Sequence, residues 1–207
     1  MPYCVAVKRP VLIDREEGWY RASYAPVPCL VGWELFVFES VIMKADDIII
    51  RPVEPRDQDA VARLWQALTD YHVRLDSRLP TAAPGAAENY AARLLERRDD
   101  PYTRAFVAEV AGQVVGYILG AVIDLLPDLF EHVDSGFIAD IFVDPVYRRR
   151  GIARRLVETL NAWFAEQGVY RIEWQVATAN PDAIHFWEAV GGSPLTIRMQ
   201  KRLDGSA

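Results

Sequence analysis

One stretch constrains this chain more than any other: Asp140-Ile-Phe-Val-Asp-Pro-Val-Tyr-Arg-Arg-Arg-Gly-Ile-Ala153. An apolar strand ends at Val143, Asp144-Pro145 turns the chain, and a helix opens at Gly151. The first-turn N–H groups of any helix lack internal acceptors and carry the positive end of its dipole. Glycine at that point lets an anion approach the backbone closely, and neighbouring arginines add charge. A pyrophosphate suits such a cradle. The plainer alternative is a solvated arginine loop before an ordinary helix.

Charge arithmetic sets this stretch apart. The 207 residues carry a formal net charge of −6, yet residues 148–155 hold five arginines and no acid, which leaves −11 for the remainder. An acidic chain with one small cationic island does not have the continuous basic footprint that coats nucleic acid. Hydrophobic residues make up 51% of the chain, enough apolar surface to offset the entropy of ordering a full core. No apolar run is long enough to span a membrane, and the three apolar residues after Lys8-Arg9-Pro10 are too few for a secretory signal. Cys4 and Cys29 form no Cys-x-x-Cys pair, and His72, His132 and His185 stand far apart, so no metal site is expected. Two reduced thiols in a cytoplasmic protein is the plain expectation.

Residues 1–47 differ from the rest, with seven aromatics in the first 42 positions and an irregular pattern. They are expected to be an N-terminal extension, either a genuine appended segment or an upstream stretch before a true start at Met43. From residue 48 to 205 one domain is expected. Ile48–Pro52 reads as a first strand, Asp57 as the N-cap of a helix carrying Val61, Leu64, Trp65, Leu68 and Tyr71, and Pro84–Arg97 as a second helix carrying Ala87, Tyr90, Ala91, Leu94 and Leu95. Arg104–Val110 and Gln113–Leu125 read as strands joined by an Ala111-Gly112 hairpin, followed by a strand over Phe137–Val143. Residues 151–166 place Ile152, Leu156, Val157, Leu160, Trp163 and Phe164 on one helical stripe that ends at Gly168. Tyr170–Val176 alternates as a strand, Asp182–Val190 reads as a helix, and Leu195–Leu203 as a closing strand. The strand–helix–strand passage around residue 151 implies a parallel pair.

Taken together, these motifs resemble a family. Arg148-x-x-Gly151-x-Ala153 is similar to the Arg/Gln-x-x-Gly-x-Gly/Ala signature of the GNAT superfamily of acyl-CoA-dependent N-acyltransferases. Downstream, Asn180-Pro-Asp-Ala183-Ile-His-Phe186-Trp187-Glu-Ala-Val-Gly191-Gly192 resembles that family's Asn-x-x-Ala-x-x-Phe-Tyr-x-x-x-Gly-Phe segment. The resemblance covers residues 48–203. It implies an α+β fold, a central, mostly antiparallel, splayed mixed sheet flanked by helices. It implies acetyl-CoA as co-substrate, with the pyrophosphate on the amides of Arg149, Arg150, Gly151, Ile152, Ala153 and Arg154 behind Arg148. It also implies that strands 137–143 and 170–176 part at their C-terminal ends. Pantetheine would then run along the edge of Ile141, Phe142 and Val143, with Asn180 and Phe186 on the other wall.

Acyl transfer to an amine needs a group to take the amine's proton and a donor for the oxyanion. The resemblance puts that donor at a backbone N–H near Val143. Asp140 is the first candidate base, because a carboxyl amid Phe-Ile-Ala-Asp-Ile-Phe-Val is set where burial raises its pKa; a structural carboxylate at the splay is the competing role. Glu173 is the second candidate, on an alternating strand where a plain polar face competes. His132 and His185 rank lower. The family's general acid is a tyrosine directly after the phenylalanine matched by Phe186; here Trp187 stands in its place, and an indole N–H donates a hydrogen bond without releasing a proton. Tyr147 is a substitute candidate, with packing of the turn as its alternative role. Acceptor contacts in such folds come from the first two helices, the Ser77–Gly85 loop and Leu125–Ser135.

The expected function is transfer of an acetyl group from acetyl-CoA to a primary amine of a small molecule or peptide, by direct attack in a ternary complex. The alternative is a non-catalytic acyl-CoA-binding or sensor domain. Neither nucleic acid nor membrane is an expected partner, and a homodimer is left open.

Overall fold

A computed structural model describes residues 48–123 and 134–201. The N-terminal extension, Cys4, Cys29, Met43, His132 and all but Asp134 and Ser135 of the Leu125–Ser135 acceptor stretch lie outside the described residues. The elements run β1 (Ile48–Pro52), α1 (Gln58–Leu75), α2 (Ala86–Glu96), β2 (Thr103–Val110), β3 (Gln113–Ile123), β4 (Ser135–Val143), α3 (Ile152–Glu166), β5 (Arg171–Trp174) and α4 (Pro181–Ala189). The five strands form one sheet in the order β1-β2-β3-β4-β5. Every neighbouring pair is antiparallel except β4–β5, which is parallel. The mixed sheet and the crossover through α3 match the sequence expectation.

Helices cover both faces. Val61, Leu64 and Leu68 of α1 and Ala87, Ala91 and Leu94 of α2 pack with Val107, Tyr117 and Phe142 on one side. On the other, Ile152, Leu156, Val157, Leu160, Trp163 and Phe164 of α3 join Ile118, Ile138 and Trp187. Burying side chains of this size contributes about 1.5–3 kcal/mol each, which fixes α3 firmly against the sheet. The approach is close. A Cβ at Gly120 would lie 2.8 Å from Leu160, and one at Gly136 would lie 2.9 Å from Phe164.

Three local readings are corrected. Asp57 stands at the N-cap of α1 as expected, but its side chain makes no capping bond to that helix. It accepts from Glu54 N at 2.8 Å and from both terminal nitrogens of Arg51 at 2.7 and 2.9 Å. A buried carboxylate beside a guanidinium binds it in preference to one amide. The alternating strand over 170–176 is paired only from Arg171 to Trp174, because β4 leaves it beyond Ile138. The closing strand is absent over its described part: residues 195–201 are neither helix nor strand, and among the described residues no strand pairs with them.

Two irregularities position the cleft. In the β3–β4 ladder Leu119 faces Asp140 while Gly120 faces Ile138, so Ala139 is an extra residue on β4. Such a bulge re-aims side chains. Ile138 therefore packs on the α3 side and Phe142 on the α1/α2 side. The second irregularity is the parting of β4 and β5, which leaves Ala139–Val143 unpaired with β5.

Candidate active site

The parted strands open a cleft of about 520 Å³. Its walls are β4 from Ile138 to Val143, Leu68, Tyr71 and His72 of α1, the start of α3, Trp174–Ala177, and Asn180, Phe186 and Trp187. Asp144 N donates to Val115 O at 2.8 Å, on the β3 side. Alternation along the strand turns Val143 and Ile141 the other way, toward the gap. The Val143 carbonyl is taken by Arg148 Nε at 3.0 Å, so it is the Val143 N–H that faces the cleft.

The cradle sits where that edge ends. Asp144 Oδ1 accepts from Val146 N at 3.1 Å and holds the turn Pro145–Tyr147. Arg149 and Gly151 then adopt left-handed backbone, φ 63° and 77°. The first helical bond of α3 runs from Arg155 N to Gly151 O, 3.1 Å, so the amides before it, from Ile152 to Arg154, have no acceptor within the helix. Nothing lies within 4 Å of the place a Gly151 Cβ would occupy. The floor above the helix N-terminus is open, as a phosphate needs.

The arginines divide their labour. The Arg148 guanidinium lies 5.2 Å from the ring centres of both Tyr71 and Phe142, joining α1 to the end of β4. Arg149 projects into solvent and reaches Asp182 at 4.0 Å across the cleft mouth. Arg150 lies over the Tyr147 ring at 5.3 Å and donates to Val146 O; among the predicted cradle residues it does not line the cleft. Arg154 donates to Ala189 O at 3.2 Å, tying α3 to α4.

Asp140 faces α2. The Tyr90 hydroxyl donates to its Oδ2 at 2.8 Å, and the buried Tyr117 ring lies 6.3 Å from that of Tyr90. Burial pushes the Asp140 carboxyl up to about 6, and the Tyr90 hydrogen bond opposes the rise. Burial, above all, holds the Tyr90 and Tyr117 hydroxyls well above their usual range, so both remain protonated donors. The Tyr117 hydroxyl has no hydrogen-bond partner among the described residues. His72, lowered by burial, lines the same cleft from α1.

A model of the Acetyltransferase (GNAT) family matches residues 61–191. This chain belongs to the GNAT acetyltransferase family. Among curated relatives, it is 35% identical over 71 residues to L-ornithine N5-acetyltransferase of Arabidopsis thaliana, covering 34% of this chain and 31% of that one. It is 34% identical over 71 residues to thialysine N-epsilon-acetyltransferase of Caenorhabditis elegans, covering 33% and 44%. The chain thus spans between about a third and a half of the length of these relatives. Among solved structures, a tetramutant of a Bacillus halodurans protein superposes with a TM-score of 0.67 at 21% identity, covering 75% of this chain and 99% of that one. An aminoglycoside N-acetyltransferase in complex with CoA gives 0.61 at 17% identity, covering 76% and 95%. These likenesses are of fold.

On this GNAT scaffold the sequence candidates separate. Asp140, Trp187, Ile141, Phe142, Val143, Arg148, Arg149, Gly151, Ile152, Ala153, Arg154, Asn180 and Phe186 all line the one cleft. Glu173 lies outside it, its carboxylate accepting from Arg171 Nε at 2.8 Å. Trp187 is buried, its ring 4.4 Å from Trp174 and 5.1 Å from Phe186. Asn180 caps α4 by accepting from Ala183 N at 3.1 Å. His185 stands exposed at the cleft wall. Tyr147 packs the turn, its hydroxyl 3.4 Å from Gln113 Oε1. Tyr90 is the residue that sequence reasoning missed. It read as one apolar position on the α2 stripe, and only its polar tip hinted at a partner.

Proposed function

We propose that the protein is an acetyl-CoA-dependent N-acetyltransferase acting on a primary amine of a small molecule or peptide, by direct attack in a ternary complex. The observation that carries it is the meeting, in one cleft, of a free strand edge, an open helix N-terminus and a half-buried carboxyl whose pKa is raised. Acetyl-CoA is the substrate whose chemistry fits them: an anionic pyrophosphate for the cradle of residues 149–154, a chain of amides for the edge of Ile141 and Val143, and a thioester for the Val143 N–H. That N–H is placed to donate to the developing oxyanion. Asp140, ionised above pH 6, accepts the proton of the ammonium acceptor directly or through one water. Arg148 positions the turn and leaves the amides of the cradle to hold phosphate.

The names of the relatives, among them an ornithine acetyltransferase and an aminoglycoside acetyltransferase, favour a cationic amine as acceptor. The acidic remainder of the chain attracts such a substrate. No described helix is long and apolar enough to cross a membrane, and a cytoplasmic location belongs to the same proposal.

A second reading, an acyl-CoA-binding domain without turnover, is favoured by one observation: Trp187 occupies the position of the family's acidic tyrosine. A thiol-release assay with acetyl-CoA over a panel of diamines, amino acids, aminoglycosides and peptides decides between them. Release above the hydrolysis rate with at least one amine supports the transferase. Tight CoA binding by calorimetry with no release from any amine supports the binding domain.

A further inference from the structure

Acyl transfer leaves one chemical need unassigned in this cleft. As the C–S bond of the thioester breaks, negative charge gathers on sulfur, and a proton donor beside it lowers the barrier. The indole of Trp187 releases no proton. Among the described residues that line the cleft, only Tyr71 and Tyr147 carry a hydroxyl. The Tyr147 hydroxyl lies 3.4 Å from Gln113 Oε1, and Gln113 is not part of the cleft wall.

Tyr71 is placed differently. It stands half-buried on α1, and its phenol reaches across to the start of α4, where the hydroxyl lies 3.5 Å from Asn180 Oδ1. That oxygen already accepts from Ala183 N at 3.1 Å. A contact of 3.5 Å holds the phenolic proton weakly, so a better acceptor in the cleft takes it.

The ring is fixed at the other end of the gap as well. The Arg148 guanidinium lies 5.2 Å from the centre of the Tyr71 ring, and its Nε donates to Val143 O at 3.0 Å. The phenol therefore stands between the Val143 end of the free strand edge and Asn180. With the thioester carbonyl on the Val143 N–H, sulfur is bonded to the same carbon and departs beside this hydroxyl. The guanidinium lies where negative charge spreads over the ring as its proton leaves.

We propose that Tyr71 is a catalytic residue, the proton donor to the departing sulfur of CoA, supplied by α1 where α4 offers Trp187. The assignment rests on the reading of the cleft as an acetyl-CoA-dependent transferase site. The C–S bond breaks, its electron pair stays on sulfur, and the Tyr71 Oη proton passes to that sulfur. Asp140 has already taken one proton from the ammonium. The nitrogen sheds a second as it becomes an amide, and that proton returns through solvent to the phenolate. The products are the amide and the thiol of CoA.

The test is Tyr71→Phe, which removes the hydroxyl and keeps the ring beneath Arg148. Its first readout needs no turnover: thiolate absorbance of CoA bound to the full chain, followed against pH with desulfo-CoA as the blank. A donor aimed at sulfur favours the thiolate, so the bound thiol is expected to titrate about one unit higher in the variant. Arg148, His72 (its ring centre 6.3 Å from that of Tyr71), His185, Asp140 and Asp182 share the cleft and are the same in both proteins. Equal titrations in the two proteins overturn the proposal, and so does an equal rise in Tyr147→Phe.

The second readout is kinetic. At saturating acetyl-CoA, kcat is expected to fall by about tenfold or more while CoA affinity by calorimetry stays within about threefold. A smaller loss of kcat overturns the proposal. A parent that releases no thiol with any amine fails as a transferase, and the titration alone then decides whether the Tyr71 hydroxyl faces the sulfur.

Discussion

Tyr90 on α2 and Asp140 on β4, 50 residues apart, meet through a 2.8 Å hydrogen bond in which the phenol donates to the carboxylate. Two opposing influences meet at this bond. Burial favours the neutral acid and raises the carboxyl to about 6, while the phenol favours the charged form and restrains the rise. A base poised near neutrality is what proton transfer from an ammonium requires. Trp65 stacks on the Tyr90 ring with centroids 5.1 Å apart, which holds the phenol in place. Tyr117 from β3 is a further titratable group beside this pair.

If Asp140 is the base, activity rises with pH through about 6 and levels off above it. Tyr90→Phe removes the restraint, so the acid limb of kcat/KM moves to higher pH, by about one unit for a hydrogen bond to a charged group. Turnover above pH 8.5 changes little. An unshifted limb with uniformly lower activity would assign Tyr90 to packing alone.

Asp140→Asn is expected to lose most turnover yet raise stability at neutral pH. Below pH 3.8 the carboxyl is protonated in both folded and unfolded chains. As pH rises from there toward 6 the unfolded chain releases its proton first, so the folded state loses stability across that window. The full penalty, present above pH 6, is at most about 3 kcal/mol for a shift of roughly two units. Chemical denaturation at pH 5 and pH 8 checks it: the stabilisation by Asn grows between the two.

Trp187 is buried between Trp174 and Phe186, and an indole supplies no acidic proton. Trp187→Phe is therefore expected to keep turnover within about tenfold of the parent, well short of the loss that follows removal of a general acid. A thiol leaves readily as thiolate, with an unperturbed pKa of about 8.5. Steady-state kinetics at pH 7.5 with the best amine settles it, and a loss of about 100-fold or more would make the indole part of the chemistry.

Arg148 joins α1 to the end of β4 through the Val143 carbonyl and the rings of Tyr71 and Phe142. Arg148→Lys keeps the charge but loses the flat guanidinium, so CoA affinity is expected to fall roughly tenfold by calorimetry. Arg150→Lys, outside the cleft, leaves affinity nearly unchanged. An unchanged affinity in Arg148→Lys would mean that charge alone, not the positioning of the turn, is what counts.

Much of this architecture was legible along the chain. The stripe Ile152-Leu156-Leu160-Phe164 marked α3, the Ala111-Gly112 hairpin joined β2 to β3, and the spacing of Arg148, Gly151 and Ala153 marked the cradle, because each pattern is a local periodicity or a backbone requirement. The Tyr90–Asp140 bond was not legible, since it joins residues brought together by the packing of α2 on the sheet. The bulge at Ala139 was equally hidden: alternation alone would put Ile138 and Asp140 on one face, and the extra residue turns Asp140 to the other. Glu173 shows the converse. Its alternation was read correctly, but the parting of the strands left it outside the cleft, with Arg171.

Neighbours along the chain set the order of the elements and the left-handed glycine that opens α3, because helical stripes, turns and a positive φ are local requirements. Only the tertiary structure decided which carboxyl enters the cleft and what surrounds it. It also left residues 195–201 without a strand partner among the described residues. Those outcomes depend on register, bulges and the divergence of β4 from β5, and these are fixed by packing across long separations.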